Sequence, residues 1–496
     1  MNKNNITNQK LTSRLSILFC CFNTMLWAAE IGSITNCSWQ DQSTWSSGQL
    51  PGSLDDVTIP AGFLMASDSS FVTAKQVDVK VHDPDMLWAD CTYRALSATE
   101  DGKLFMGFTT HWMDLNAAVL SYDPATQTFA QPFDLGNVTS VETGPDGELS
   151  QGKIHTPLFE NDKVIYFGTG YGPSDFKTHK QRKPYSGGCF VAFDQKSGEA
   201  RVLGRTPKME GVMTLEPDFP RNALYGITVP SGLLLRCDIA TGEVENLGAI
   251  DDQFIESNYM ADYIDVVRCL VIHPDTGVVY GSRKNGAIWQ YDPATGKISE
   301  TGLNTKQGIV GETDNKALIS SQWRMAVLSP DKNKIYATHQ GTTSLFEFNF
   351  KSQTITPMVR LCTDADLNSK GNLRGSRLAF LLADGKIHHL AHGPAVTVKE
   401  RELNPAYQAH YITYDLATKK RTDHGPLMAP GERRVCHADT LAILPDGRLF
   451  SLAWVETVDP ARIEAMKSIA QGRPLYSKMR NNGPYYEVQL VELIKK

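Results

Sequence analysis

No CxxC pair occurs in the chain, and two of its nine cysteines, Cys20 and Cys21, fall in an apolar N-terminal run, which leaves seven. An odd set without paired spacing argues against a disulfide framework, because at least one thiol has no intramolecular mate. Beyond that N-terminal run, no stretch is apolar for the roughly 18 residues a membrane helix needs. A Gly-rich phosphate loop, a Gly-x-Ser-x-Gly elbow and a dinucleotide fingerprint are all missing, which removes the common signatures of nucleotide-dependent and serine-hydrolase chemistry. Positive charge is not in excess either: 49 Lys and Arg face 55 Asp and Glu, a formal net charge of -6. A general nucleic-acid binder would be basic overall, so nucleic acid is not an expected partner. Helical periodicity is scarce as well.

What the chain does have is enough apolar residue, 41% of 496, to build a large core under an ordinary charged surface. Lys10 and Arg14 precede Leu15 to Phe22 and the small pair Ala28-Ala29, the layout of a secretory signal. Residues 1–29 are therefore read as a signal peptide, with a secreted or periplasmic destination and no membrane span after cleavage. Residues 30–80, with Trp39, Trp45 and the alternating Val57-Thr58-Ile59-Pro60, read as a short β appendage or linker. Residues 81–496 form the body.

The body repeats. An aromatic-Asp type pair at a strand end, then a turn, recurs as Tyr122-Asp123, Phe193-Asp194, Cys237-Asp238, Tyr291-Asp292, Phe348-Asn349 and Tyr414-Asp415. Each is preceded by an apolar strand, an Asp/Gly turn and a second apolar strand. Seven such second strands are counted, at Leu104-Phe105, Ile165-Tyr166, Leu224-Tyr225, Val279-Tyr280, Ile335-Tyr336, Ile387-His388 and Leu449-Phe450. Short alternating strands at this spacing predict an all-β fold, a seven-bladed β-propeller carrying the N-terminal appendage and one inserted helix. That helix is signalled by Asp459 as cap, Pro460 in the first turn, and Ile463, Met466 and Ile469 on one face.

Aligning the first strands on the turns that follow them puts Arg94, His155, Arg268, Arg324, Arg377 and Asp439 in one register, with the third blade unassigned. In a net acidic chain this predicts a locally cationic funnel that suits an anion, because the planar guanidinium binds carboxylate or sulfate bidentately. The run Lys177 to Lys183 adds positive charge in an insertion above it. His111, His339 and His392 follow second strands and His437 opens the last blade; of these, His111, His339 and His437 join the funnel as binding candidates.

Gly152-Lys153-Ile154-His155, Tyr166-Phe167-Gly168-Thr169, Tyr185-Ser186-Gly187-Gly188 and Leu224-Tyr225 through Gly232 to Arg236-Cys237-Asp238 resemble the seven-bladed propeller polysaccharide lyases of the ulvan lyase type. The resemblance spans most of 85–494 as a pattern and is specific over about 150–240. It implies β-elimination on a uronate-containing polysaccharide, with His155 and Tyr225 in proton transfer and Arg236 at the uronate carboxylate. The chemistry needs a base for the proton beside the carboxylate and a cation for the enolate-like transition state. A neutral imidazole, or a tyrosine whose pKa nearby arginines lower, supplies the base.

Two positions depart from that pattern: Gly170 stands where a second histidine is expected, and Cys189 follows the Gly-Gly pair. They favour the alternative, a non-catalytic glycan- or protein-binding propeller using the same funnel. No cofactor signature stands out, although the scattered histidines with Asp439 leave room for a divalent ion, Zn or Ca. The expected partner is an anionic polysaccharide, and the expected state a monomer.

Overall fold

The computed structural model describes residues 75–90, 92–110, 114–140, 147–172, 184–251, 268–311, 320–367, 378–393, 408–470 and 485–494. The signal segment, nearly all of the appendage, His111, Arg377 and the Lys177–Lys183 run lie outside the described residues. The described residues fall in one unit, Thr73–Lys496.

The first strand, β1 (Val77–His82), pairs antiparallel with the last, β29 (Tyr485–Leu493), Val79 opposite Leu493. Between them stand five separate four-stranded antiparallel sheets. They are β2–β5 (Leu96–Ala98, Leu104–Phe108, Ala118–Asp123, Thr128–Ala130), β6–β9 (Phe159–Asn161, Val164–Gly168, Cys189–Asp194, Glu199–Arg205) and β10–β13 (Gly211–Asp218, Ala223–Val229, Leu233–Asp238, Val244–Ala249). The other two are β14–β17 (Val271–Ile272, Val279–Ser282, Ala287–Asp292, Lys297–Asn304) and β18–β21 (Trp323–Leu328, Lys334–His339, Ser344–Asn349, Thr354–Arg360). Consecutive four-stranded sheets joined first strand to last make this an all-β propeller with five such blades.

The expectation of seven blades is corrected here. After the fifth blade the chain builds one continuous nine-stranded sheet from β22 (Phe380–Ala383), β23 (Lys386–Gly393), β24 (Gln408–Asp415), β25 (Lys420–Ala429), β26 (Arg433–Ala438), β27 (Ala442–Ile443), β28 (Leu449–Thr457), β29 and β1. The reason is a turn. β25 runs straight into β26 through Pro430, Gly431 and Glu432, the last two at positive φ, so that Ala429 pairs with Arg433. The same strand also takes β1 in parallel, Val77 opposite Leu427. A tight hairpin plus that parallel join leaves no break at which two sheets could part.

The repeated aspartates have a common job. Asp123, Asp194, Asp238, Asp292, Asn349 and Asp415 each accept the backbone N–H two residues on, at 2.7–3.0 Å. These are Asx turns, which set the hairpin joining third to fourth strand. The aromatic of each second strand fills the core: Phe105, Tyr166, Tyr225, Tyr280, Tyr336 and Phe450 are all buried. Helix α1 (Leu135–Thr139) is capped by Asp134, and helix α2 (Pro460–Ala470) by Asp459, which accepts from Ala461 N–H at 2.9 Å. α2 is fastened to β29 by Arg462, 2.6 Å from Glu487, and buries Met466 completely.

Candidate functional site on the propeller axis

The first strand of a blade lies nearest the axis, so side chains just before or within it can meet across the centre. Arg94 of the first blade donates from Nη1 to the carbonyl of Arg268 in the fourth, 3.1 Å away. Blades that are not neighbours touch in this way only across the axis. Arg268 in turn hydrogen-bonds through Nη1 to His155 Nε2 and, at 3.3 Å, to Met213 Sδ. The ring of Tyr93 lies on His155 with centroids 3.8 Å apart, and Lys153 Nζ sits 5.4 Å from the Tyr93 centroid. Tyr93, Arg94, Lys153, His155, Met213 and Arg268 therefore form one group drawn from four blades.

Met213 is the register position the sequence left unassigned. The β10–β11 pairing shifts between Val212 and Thr214, as the β18–β19 pairing shifts between Trp323 and Met325 around Arg324. A bulge at the same place in each strand turns the extra residue toward the axis. Arg324 stands at one of these bulges and Met213 at the other, so that Arg268 meets a thioether, a soft neighbour, in place of a second cation.

Guanidinium nitrogens only donate. His155 Nε2 is therefore an acceptor, and the imidazole carries its proton on Nδ1. The lone pair that would serve as a base is engaged by Arg268. Glu216, on β10, supplies an acidic group: burial pushes its carboxyl up to about 7, against the pull of Arg94. Part of that residue still meets solvent. Burial also raises the Cys269 thiol, with Arg94 opposing.

Tyr225 and Arg236 lie elsewhere. They are cross-strand partners on β11 and β12, and Arg236 is 3.6 Å from Asp238 at the outer turn. Tyr225 is 2% exposed and packs with Trp289, Val279 and Tyr291 of the next blade. Burial raises its phenol pKa, and Arg236 only partly offsets this. The expectation that arginines would lower it is thereby reversed, because desolvation outweighs the charge. The trio His155, Tyr225 and Arg236 is not brought together.

His339, at the end of β19, is fully buried and accepts at Nδ1 from Gly341 N–H at 3.2 Å, with the Thr342 hydroxyl at 3.1 Å. Burial, helped by Lys306, lowers its pKa to about 4. His437 Nε2 is 2.7 Å from Asp439 Oδ2 and stacks on Trp454, centroids 4.8 Å apart. Arg324 is half-buried. Gly170 pairs both ways with Lys153, at 2.9 and 2.8 Å, and so helps fix the lysine beside Tyr93. Cys189 lies in the core, its thiol raised by burial to about 11. Among the described residues, no three His, Cys, Asp or Glu side chains converge as a metal-binding set, and no helix is long and apolar enough to cross a membrane.

The sequence reading missed Tyr93, Lys153, Met213 and Glu216. Tyr93 and Lys153 flank register residues by one and two positions, so extending the register to its neighbours would have found them.

No protein-family model matches the chain, and no curated protein matches it by sequence. Among solved structures, a chain of a mitotic checkpoint complex aligns at 13% identity and TM-score 0.45, covering 77% of this chain and 89% of that one. The Cps50 (Swd1) β-propeller domain of Myceliophteria thermophila aligns at 10% identity and TM-score 0.45, covering 73% and 94%.

Proposed function

We propose that this chain is a glycan-binding β-propeller whose axial cluster receives the acidic groups of an anionic, uronate-containing polysaccharide. The observation that carries the reading is the gathering of Arg94, Lys153 and Arg268 from three blades about His155 and Tyr93 in a chain of net charge -6. Lys153 and Arg268 are buried and act as fixed sources of positive potential; half-buried Arg94 and Arg324 are the cations a ligand can reach. Low-dielectric walls focus such a field. Export through the N-terminal segment would place the protein among such polymers.

A second reading, β-elimination of the ulvan lyase kind, is favoured by Glu216. A carboxyl held near 7 beside Arg94 can take or give a proton at neutral pH. His155 does not suit the base role, since Arg268 occupies its acceptor nitrogen.

One experiment separates the two. Ulvan, pectate, alginate and a glycosaminoglycan are titrated against the full chain, with dextran as neutral control, and each mixture is followed for the ultraviolet absorbance of an unsaturated uronate. Binding is expected for acidic polymers only, weakening as salt screens the charges. Arg94→Ala and Arg324→Ala should each weaken it roughly tenfold, about one charge-assisted hydrogen bond. Equal binding of dextran would sink the proposal; growing absorbance that Glu216→Gln abolishes would establish the second reading.

A further inference from the structure

A separate cavity of about 360 Å³ opens on the nine-stranded sheet, near the Asp384-Gly385 turn and away from the first-strand ends that carry the axial cluster. Its origin is legible in the repeat. At the second-strand position where six units bury Phe105, Tyr166, Tyr225, Tyr280, Tyr336 and Phe450, the β23 strand has His388. The smaller imidazole leaves space that the other units fill with a six-membered ring.

The floor of that space is polar and organised. His388 lies opposite Thr413 across β23–β24, and Tyr411, two residues from Thr413, shares their face. The Tyr411 hydroxyl and His388 Nδ1 are 2.7 Å apart, and Thr413 Oγ1 and His424 Nε2 are 2.8 Å apart. The rings are nearly parallel, His388 to Tyr411 at 17° and Tyr411 to His424 at 24°. Burial raises the Tyr411 phenol and lowers His424, so both are neutral hydrogen-bonding groups at pH 7. One wall is apolar, built from Val77 and Leu493.

Charge decides what fits. Lys386 lines the cavity and is exposed at its rim, and both it and Lys75 act on His424 as cations. Asp423 acts on His424 with the opposite sign and more strongly than either lysine, but its carboxylate is already engaged: His410 stands 3.1 Å from it, and it accepts from the N–H groups of Asp364 and Gly425, each at 2.9 Å. Asp384 remains at the mouth, where it can accept from a ligand hydroxyl. A rim that pairs the ammonium of Lys386 with the carboxylate of Asp384, a floor of hydroxyl and imidazole groups and an apolar wall match a compact molecule with one acid group, several hydroxyls and a carbon face. The volume sits at the small end of ligand cavities.

We propose that this cavity is a binding site for a small hydroxylated carboxylate of about monosaccharide size, held by Lys386 at its acid group and by His388, Thr413 and His424 at its hydroxyls. The test titrates the full chain calorimetrically with D-glucuronate and D-gluconate as probes and D-glucose as the neutral control. Saturable binding of at least one acid is expected, with glucose at least tenfold weaker. His388→Phe, which installs the aromatic found in the other units, should remove the binding while leaving acidic-polymer binding at the axis unchanged. Lys386→Gln should weaken it at least tenfold; because Lys386 is exposed, this variant decides the matter if His388→Phe fails to fold. Absence of saturable binding by either acid, equal affinity for glucose, or full binding in Lys386→Gln would overturn the assignment.

Discussion

Tyr225 separates packing from chemistry, and two substitutions measure the difference. Its ring is 2% exposed between two blades, against Trp289, Val279 and Tyr291. Truncation to Ala deletes a buried aromatic and leaves a void, which in well-packed cores costs about 3–5 kcal/mol. Tyr225→Phe keeps the ring and removes only the hydroxyl that faces Arg236, a loss of about 1 kcal/mol. Urea unfolding followed by tryptophan fluorescence reads both, since Trp289 sits in the same cluster. The midpoint should fall steeply for Ala and slightly for Phe at unchanged slope. Polymer affinity measured on the folded Phe variant should equal that of the parent. A Phe variant of parental stability that loses tenfold or more in affinity or turnover would refute the packing role and return the phenol to the ligand.

The remaining predictions concern buried ionisable groups. Folded His339 takes up a proton only near pH 4, whereas the unfolded chain does so near 6.5. Stability should therefore fall by about 3 kcal/mol as pH drops from 6.5 to 4; His339→Asn, whose amide oxygen can accept the same two bonds, should flatten that limb in urea midpoints, and parallel curves would contradict it. Glu216 has the opposite sign. Its folded pKa, about 7, exceeds the ordinary 4.5, so its contribution is intact below pH 4.5 and lost as pH rises through 7. Glu216→Gln should stabilise the protein at pH 8 and change little at pH 4. The thiols of Cys189, Cys237, Cys269 and Cys362 are all buried, with Cys189 and Cys237 raised to about 11 and 12. A disulfide reagent should reach these four only after denaturation; rapid labelling of any of them in the native protein would show an opening the fold does not.

What the sequence made legible was local. The six Asx turns and the buried aromatics recur within a few residues of each other, and local periodicity survives any tertiary arrangement. The sheet count did not survive, because it depends on pairing Val77 with Leu427, partners 350 positions apart that no repeat marks. The arginine register was half legible. Counting back from the turn located Arg94, His155 and Arg268, yet could not say that Arg94 crosses the axis to blade four, nor that a bulge makes Met213 their equivalent.

That failure bears on function. Tyr225 and Arg236 match the lyase pattern by sequence, but alternation along a strand fixes only the face on which a side chain lies, and here that face is a blade interface. His155 reaches the axis, where the same arginine that makes the site cationic also occupies the imidazole's acceptor. The cluster is therefore better built to hold a carboxylate than to take its neighbour's proton. Among the described residues of that cluster, the group left to exchange a proton near neutral pH is Glu216, one strand inward from the tyrosine that the motif singles out.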